Sequence, residues 1–154
     1  MIAALIDSAV IVESLASSEK PDALRELLQA CVEQGVFQKR QLGAVSELVA
    51  EREAIGSTGI GNGVAVPHVK TSHVASIRLA LGRSIDGIDY EAIDGRPVET
   101  LFMILAPEDA AQDHLAALRW VSMLARNADF RRFVSSAETA EDIRELLREM
   151  SPDA

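Results

Sequence analysis

The stretch Arg52-Glu53-Ala54-Ile55-Gly56-Ser57-Thr58-Gly59-Ile60-Gly61-Asn62-Gly63-Val64-Ala65-Val66-Pro67-His68 carries the chain from one kind of structure into another. Ahead of it, Leu42, Val45, Leu48 and Val49 fall on one side of a helix predicted over roughly 39–54. From Gly56 to Gly63 half the residues are glycine, and Asn62-Gly63 is a turn dipeptide that leads into the strand-like Val64-Ala65-Val66. A helix that hands over to a strand through a tight turn predicts a mixed α/β unit.

The flanks continue the alternation of helix and strand. Upstream, Ala9 to Val12 predicts a short buried strand, and Ser17 to Pro21 supplies the polar residues and proline that precede a helix. That helix, from about Asp22 to Gln34, carries Ala23, Leu24, Leu27, Leu28, Cys31 and Val32 on one stripe, with Gly35 available for a left-handed cap. Downstream, Ile77, Leu79 and Leu81 alternate with Arg78, Ala80 and Gly82, the pattern of a half-exposed strand, and Asp94-Gly95 marks a turn. Thr100 to Ala106, between Glu99 and Pro107, is a strand covered on both faces and central to the sheet. Helices follow over roughly 110–126, 130–134 and 140–150, the last opened by Thr139 and Asp142 in the manner of a capping box. No repeat, low-complexity tract or long linker divides the chain, so residues 1–154 are read as one domain.

Composition removes several classes of function. With 48% hydrophobic and 25% charged residues the chain has enough apolar material for a packed core. Fifteen basic against 24 acidic residues leave a formal charge of −9, which disfavours unspecific attraction to nucleic acid or anionic lipid and suits a partner with a basic contact patch. The longest clean apolar run, Leu101 to Ala106, is far short of the roughly 20 residues that span a bilayer, so no direct membrane insertion is expected. The apolar start has no basic flank and is cut by Asp7, which argues against a secretory signal and for a cytoplasmic address. A single cysteine excludes an internal disulfide, and Cys31 shares the helical face of Leu24, Leu27 and Leu28, which reads as core.

The chemistry concentrates where the chain changes texture. Glycines let backbone amides turn toward an anion, so Ser57, Thr58, Gly59, Gly61 and Gly63 form a candidate phosphoryl-binding loop; the plainer reading is a turn whose glycines serve geometry alone. Pro67 fixes its own φ and extends Val66, which presents His68 at the strand end with little torsional freedom. A neutral imidazole is a competent nucleophile near pH 7 and a good leaving group once phosphorylated. Arg52 could meet phosphoryl oxygens through two parallel hydrogen bonds. His114, in line with Leu118 and Val121, reads by itself as a core or boundary histidine; opposite His68 it could instead donate to a phosphoryl oxygen or hold the nucleophile's tautomer. His73, beside Thr71 and Ser72, reads as exposed loop.

Rival chemistries lack their residues. Gly63 is followed by Val64-Ala65 where a nucleotide-phosphate loop needs Lys-Ser/Thr, and G-x-G-x-G after a helix is not the dinucleotide pattern. No H-E-x-x-H or Cys/His ligand set points to a metal, and no G-x-S-x-G elbow surrounds Ser57.

With these residues in place, the chain resembles the fructose/mannitol-type enzyme IIA domains of the bacterial sugar phosphotransferase system, including the free-standing nitrogen-related proteins. The Ser-Thr-Gly-Ile-Gly-Asn-Gly core and Ala-Val-Pro-His ending look like that family's signature, and the likeness continues through Ala92-Ile93-Asp94-Gly95-Arg96-Pro97-Val98, Ala106-Pro107 and His114-Leu115. The resemblance implies a single-domain α/β fold with a mixed parallel and antiparallel sheet flanked by helices on both sides. It implies a phosphotransferase component without a cofactor, phosphorylated on His68 by the histidine-containing phosphocarrier protein, with His114 as partner histidine and Arg52 as supporting arginine. The ring nitrogen used would be the one remote from the backbone. The phosphoryl group would pass to a separate IIB partner or serve as a regulatory signal. One departure is visible: many relatives read Pro-His-Gly-Lys where this chain has Pro67-His68-Val69-Lys70, so Val69 is expected to alter docking of the donor.

Overall fold

The computed structural model describes residues 1–151, so the final three residues of the expected 1–154 domain lie outside the described residues. In chain order the helices are α1 (Ile2–Asp7), α2 (Lys20–Glu33), α3 (Leu42–Ile55), α4 (Ala111–Arg126), α5 (Ala128–Ser136) and α6 (Ala140–Glu149). The strands are β1 (Val10–Val12), β2 (Gly59–Gly61), β3 (Val64–Ala65), β4 (His68–Lys70), β5 (Arg78–Ile88) and β6 (Val98–Ala106).

Central β6 organises the sheet. One flank pairs antiparallel with β5, Ala80 opposite Met103, and β5 in turn pairs parallel with β1. The other flank carries two short strands end to end, β3 against Thr100 and Leu101, and β4 against Ile104 to Ala106, both parallel. Proline separates them because it has no N–H to give to a ladder. The Pro67 carbonyl still accepts from the Ile104 N–H at 2.9 Å, so the path from Val64 to Lys70 stays beside β6 through the break. β2 closes the edge by an antiparallel hairpin whose turn residues, Asn62 (φ 58°) and Gly63 (φ 75°), both sit in the left-handed region that a two-residue hairpin demands.

Helices cover both faces of this mixed sheet. Because side chains alternate along a strand, Leu101, Met103 and Leu105 of β6 enter one core with α2 and α3. Phe102 and Ile104 enter the other, with α1, α4, α5 and α6. β5 is buried on both faces from Leu79 through Ser84 and not half-exposed as its alternation suggests. Ala80 and Gly82 are small because α2 and the chain before it pack there; a β-carbon on Gly82 would meet the Leu15 side chain at 3.0 Å.

Other boundaries shift for local reasons. The expected 39–54 helix opens with a 3-10 turn, Lys39–Gln41, and its α-helical part begins at Leu42. α2 ends as expected: Gly35 takes φ 77°, and the N–H groups of Gly35 and Val36 close on the carbonyls of Val32 and Cys31. The piece expected around 130–134 is a full helix, α5, because the Asn127 side chain accepts from the N–H groups of Asp129 and Phe130. Thr139 and Asp142 form the expected capping box of α6.

Two elements escape the sequence pattern. α1 has no side-chain cap, and it is held from across the chain by Arg144, whose Nη1 donates to the carbonyl of Ile6 at 2.8 Å and of Ala9 at 3.1 Å. β4 is three residues that pair only because β6 lies beside them.

Gly59 marks the tightest approach in the hairpin, since a β-carbon built there would lie 2.7 Å from the backbone Cα of Ala92. Backbone cannot yield as a flexible side chain can, so Gly59→Ala is expected to cost about 1–3 kcal/mol. Urea denaturation checks this, and an unchanged midpoint would refute the close packing.

Candidate functional site

The break at Pro67 decides where His68 points. His68 is opposite Ile104, whose side chain belongs to the α4 face, and α4 brings His114 to the same place. The two rings stand edge to face, centroids 5.4 Å apart and planes at 77°. His68 is half-buried and its Nδ1 lies 2.7 Å from the Val66 carbonyl oxygen. A carbonyl only accepts, so Nδ1 carries the proton, and in the neutral ring the lone pair resides on Nε2.

His114 is 6% exposed, and its Nε2 is buried without a hydrogen-bond partner. Burial, reinforced by the neighbouring His68 and Lys70, holds its pKa below the usual histidine value. Near pH 7 this ring is therefore neutral. A buried polar nitrogen without a partner is rare, because leaving it unsatisfied costs free energy, and it commonly marks a place reserved for another group.

The pair opens on a cleft of about 560 Å³. Its charged lining is Arg52 and Glu51 from α3 and Lys70 from β4; its apolar lining includes Leu48, Ile55, Leu115 and Leu118. Ala111, the first residue of α4, also lines it, and no side chain caps that helix start. A helix N-terminus presents free amides and the positive end of its dipole, which favours an anion. Arg52 is anchored within its own segment, Nη1 donating to the Gly56 carbonyl at 2.8 Å.

The structure thus brings Arg52, His68 and His114 together. It does not bring the glycine-rich segment with them: Ser57, Thr58, Gly59, Gly61 and Gly63 are absent from the cleft lining. Their polar groups are committed to the protein itself. The Ser57 hydroxyl donates to the Tyr90 carbonyl at 2.8 Å and accepts from the Gly59 N–H at 3.1 Å. Buried Thr58 gives its N–H and its hydroxyl to the Glu53 carboxylate, at 3.1 and 2.5 Å. Gly61 and Gly63 serve the hairpin and its turn. The uncapped backbone at the cleft is the start of α4, and the glycine segment shapes the hairpin.

Several other expectations meet the structure here. Val69 is largely buried, 8% exposed, in the core cluster with residues of α2 and α3, and it is also among the residues that line the cleft. A strand residue next to His68 must face the opposite side of the sheet. His73 is half-buried and away from the cleft, while its neighbour Thr71 is buried at 2%, its N–H on the Ala106 carbonyl, so the segment is less exposed than its polarity suggests. Cys31 is core, its thiol pushed up to about 12 by burial. Among the described residues no group of His, Cys, Asp and Glu could hold a metal ion, and no helix is long and apolar enough to cross a membrane.

Sequence reasoning missed the polar cluster behind Arg52. Glu53 pairs with Lys20 at 2.9 Å, both side chains largely buried. Tyr90, fully buried, places its hydroxyl 3.1 Å from that of Thr58, and the Lys20 ammonium lies over its ring. Burial, followed by the Glu53 carboxylate, pushes the Tyr90 phenol above its usual pKa, so it stays protonated and donates. Lys20 and Tyr90 are remote in sequence from Glu53, and no periodicity connects them.

Comparison with known proteins follows the same lines. Residues 4–150 match the family described as "Phosphoenolpyruvate-dependent sugar phosphotransferase system, EIIA 2". The chain is 36% identical over 148 residues to the fructose-specific EIIABC component of Bacillus subtilis, covering 96% of this chain but only 23% of that protein. It is 35% identical to the nitrogen regulatory protein of Bradyrhizobium diazoefficiens, covering 93% and 92% of the two chains. Among solved structures, nitrogen regulatory protein IIA-Ntr of Neisseria meningitidis superposes with a TM-score of 0.81 at 27% identity, covering 94% of this chain and 99% of that one. The mannitol IIA of Escherichia coli shares the fold, with a TM-score of 0.73 at 16% identity over 89% and 94% of the two chains. The chain belongs to the EIIA type-2 family of the phosphoenolpyruvate-dependent sugar phosphotransferase system.

Proposed function

We propose that the chain is a phosphohistidine carrier that takes a phosphoryl group on Nε2 of His68 from the histidine-containing phosphocarrier protein. The observation that carries this reading is the hydrogen bond from Nδ1–H of His68 to the Val66 carbonyl, which leaves Nε2 as the nucleophilic atom beside the unpartnered Nε2 of His114. Transfer forms the Nε2–P bond as the donor's N–P bond breaks, in line and through a loose transition state. The ring is then cationic, with Nδ1–H still held by Val66, and so it remains a good leaving group for the next transfer. Charge on the moving group is met by Arg52, Lys70 and the start of α4, while His114, with a proton on Nε2, donates to a phosphoryl oxygen. Apolar Ile55 and Leu115 around the opening exclude water from the acid-labile bond once a partner docks. Residues 1–154 act as one domain, at the cytoplasmic address that a single unpaired cysteine suits.

Two outputs fit this chemistry. The label passes to a IIB component, as suits the fructose relatives and the mannitol IIA solved in complex with phosphorylated IIB. Alternatively, the phosphorylated state is itself a regulatory signal, a reading favoured by the nitrogen regulatory proteins matched over almost their full lengths. In that case added negative charge at the cleft changes affinity for a target.

Incubation with phosphoenolpyruvate, enzyme I and the phosphocarrier protein is expected to give an acid-labile mass increase that His68→Ala abolishes; uptake undiminished in that variant would refute the assignment. A chase with IIB separates the outputs, since a carrier loses its label rapidly and a regulator retains it. Identical partners captured by His68→Ala and His68→Asp would remove the regulatory reading.

The lowered pKa of His114 has a stability signature. The unfolded chain, where histidine titrates near about 6.5, takes up the proton before the folded state does, so stability is full above that pH and drains as pH falls toward the folded value. The urea midpoint of the wild type is expected to fall on acidification through this window and that of His114→Asn to fall less. Equal slopes would contradict the burial cost assigned to the ring.

A further inference from the structure

Glu53 is the residue next to Arg52 on α3, yet it does not line the cleft. Both of its oxygens are used. Oε1 accepts from the Lys20 ammonium at 2.9 Å and the Thr58 N–H at 3.1 Å, and Oε2 accepts from the Thr58 hydroxyl at 2.5 Å. The Thr58 hydroxyl, having given its proton to Glu53, accepts from the Tyr90 phenol. The carboxylate therefore ties the end of α3 to a residue five positions further on, and it ties both to the start of α2 and to the segment after β5.

The loop closed in this way contains Gly56. Its carbonyl is the group on which the Arg52 guanidinium is anchored, at 2.8 Å. Gly56 has no side chain of its own to hold it, and a β-carbon there would touch nothing within 4 Å. The segment after Gly56 is tied down by the two hydrogen bonds that Glu53 accepts from Thr58 and by the Ser57 hydroxyl on the Tyr90 carbonyl.

We propose that Glu53 is a positioning residue for phosphoryl transfer: by holding Thr58 it fixes the Gly56 carbonyl, and through that carbonyl it aims Arg52 at the space between His68 and His114. The inference rests on the phosphocarrier reading for its kinetic consequence, but the orientation of Arg52 is a property of the unphosphorylated protein. Lys20 neutralises a carboxylate whose side chain is only 6% exposed, and the Tyr90 phenol completes the coordination of Thr58. An arginine free to swing would still attract the donor's phosphoryl group and would lose the fixed fork that the transition state needs.

The test uses the full chain and the variants Glu53→Gln, Thr58→Val, Arg52→Ala and Glu53→Gln/Arg52→Ala. As a control for lost stability, Val134→Ala removes core volume on the α5 side of the sheet, at a residue outside the cleft lining. Glu53→Gln and Thr58→Val are each expected to lower kcat for phosphoryl uptake at least tenfold, with KM for the phosphocarrier protein unchanged within twofold. Glu53→Gln is expected to add nothing in the Arg52→Ala background, and Val134→Ala to leave kcat unchanged. In the unphosphorylated protein, the heteronuclear NOE of the Arg52 Nε–H is expected to collapse in Glu53→Gln and Thr58→Val and to persist in Val134→Ala. Losses that multiply with Arg52→Ala, or an equal slowing in Val134→Ala, would overturn the proposal. Should the wild type take up no phosphoryl group, the carrier reading fails by itself, and the Arg52 NOE decides the positioning claim: a signal unchanged in Glu53→Gln overturns it.

Discussion

The hydrogen-bond ladder along β6 is interrupted once on its β3/β4 flank, at Pro67, and the site depends on that interruption. The chain from Val64 to Lys70 keeps to β6 on both sides of the break, so its direction is set by a buried central strand. Proline contributes a carbonyl and no donor, which ends β3 and restarts the pairing as β4 at His68. The Val66 carbonyl is then available to the imidazole, and the ring is held through Nδ1. An imidazole that is both oriented and assigned its tautomer follows from backbone geometry alone.

Around this fixed ring the protein separates charge from core. His68 and Val69 are adjacent, and the alternation of a strand sends one to the cleft and the other beneath α2 and α3. His114 is buried enough to disfavour its charged form. Positive potential comes instead from Arg52, Lys70 and the uncapped start of α4, on a chain whose formal charge is −9. Set beside the single acidic residue of the lining, Glu51, these positive groups favour an anion in the cleft.

The buried cluster of Lys20, Glu53, Thr58 and Tyr90 joins the helical layer to the hairpin. Buried ion pairs add little net stability when compared with apolar packing, but breaking one leaves an uncompensated charge. Such a cluster therefore makes the relative placement of α3 and the β2–β3 hairpin nearly all-or-none. The glycines of the hairpin belong to the same requirement, since Gly59 must lie against the backbone of Ala92.

The mixed α/β architecture, the central strand, five of the six helices and the three side chains Arg52, His68 and His114 that share the cleft were legible in the chain itself. These features are local: helical stripes such as Leu24, Leu27, Leu28 and Cys31, the Asn62-Gly63 turn, the capping box at Thr139, and the restraint that Pro67 places on its neighbours. A residue's own conformational preferences and the periodicity of its neighbours suffice to set them. The pairing of β4, the short helix α1, the double burial of β5 and the coordination of Glu53 were decided only by tertiary structure, as was the placement of the glycine segment outside the cleft lining. Each depends on groups far apart in the chain, Arg144 with Ile6 or Lys20 with Glu53, and a contact between distant residues leaves no periodic trace in either.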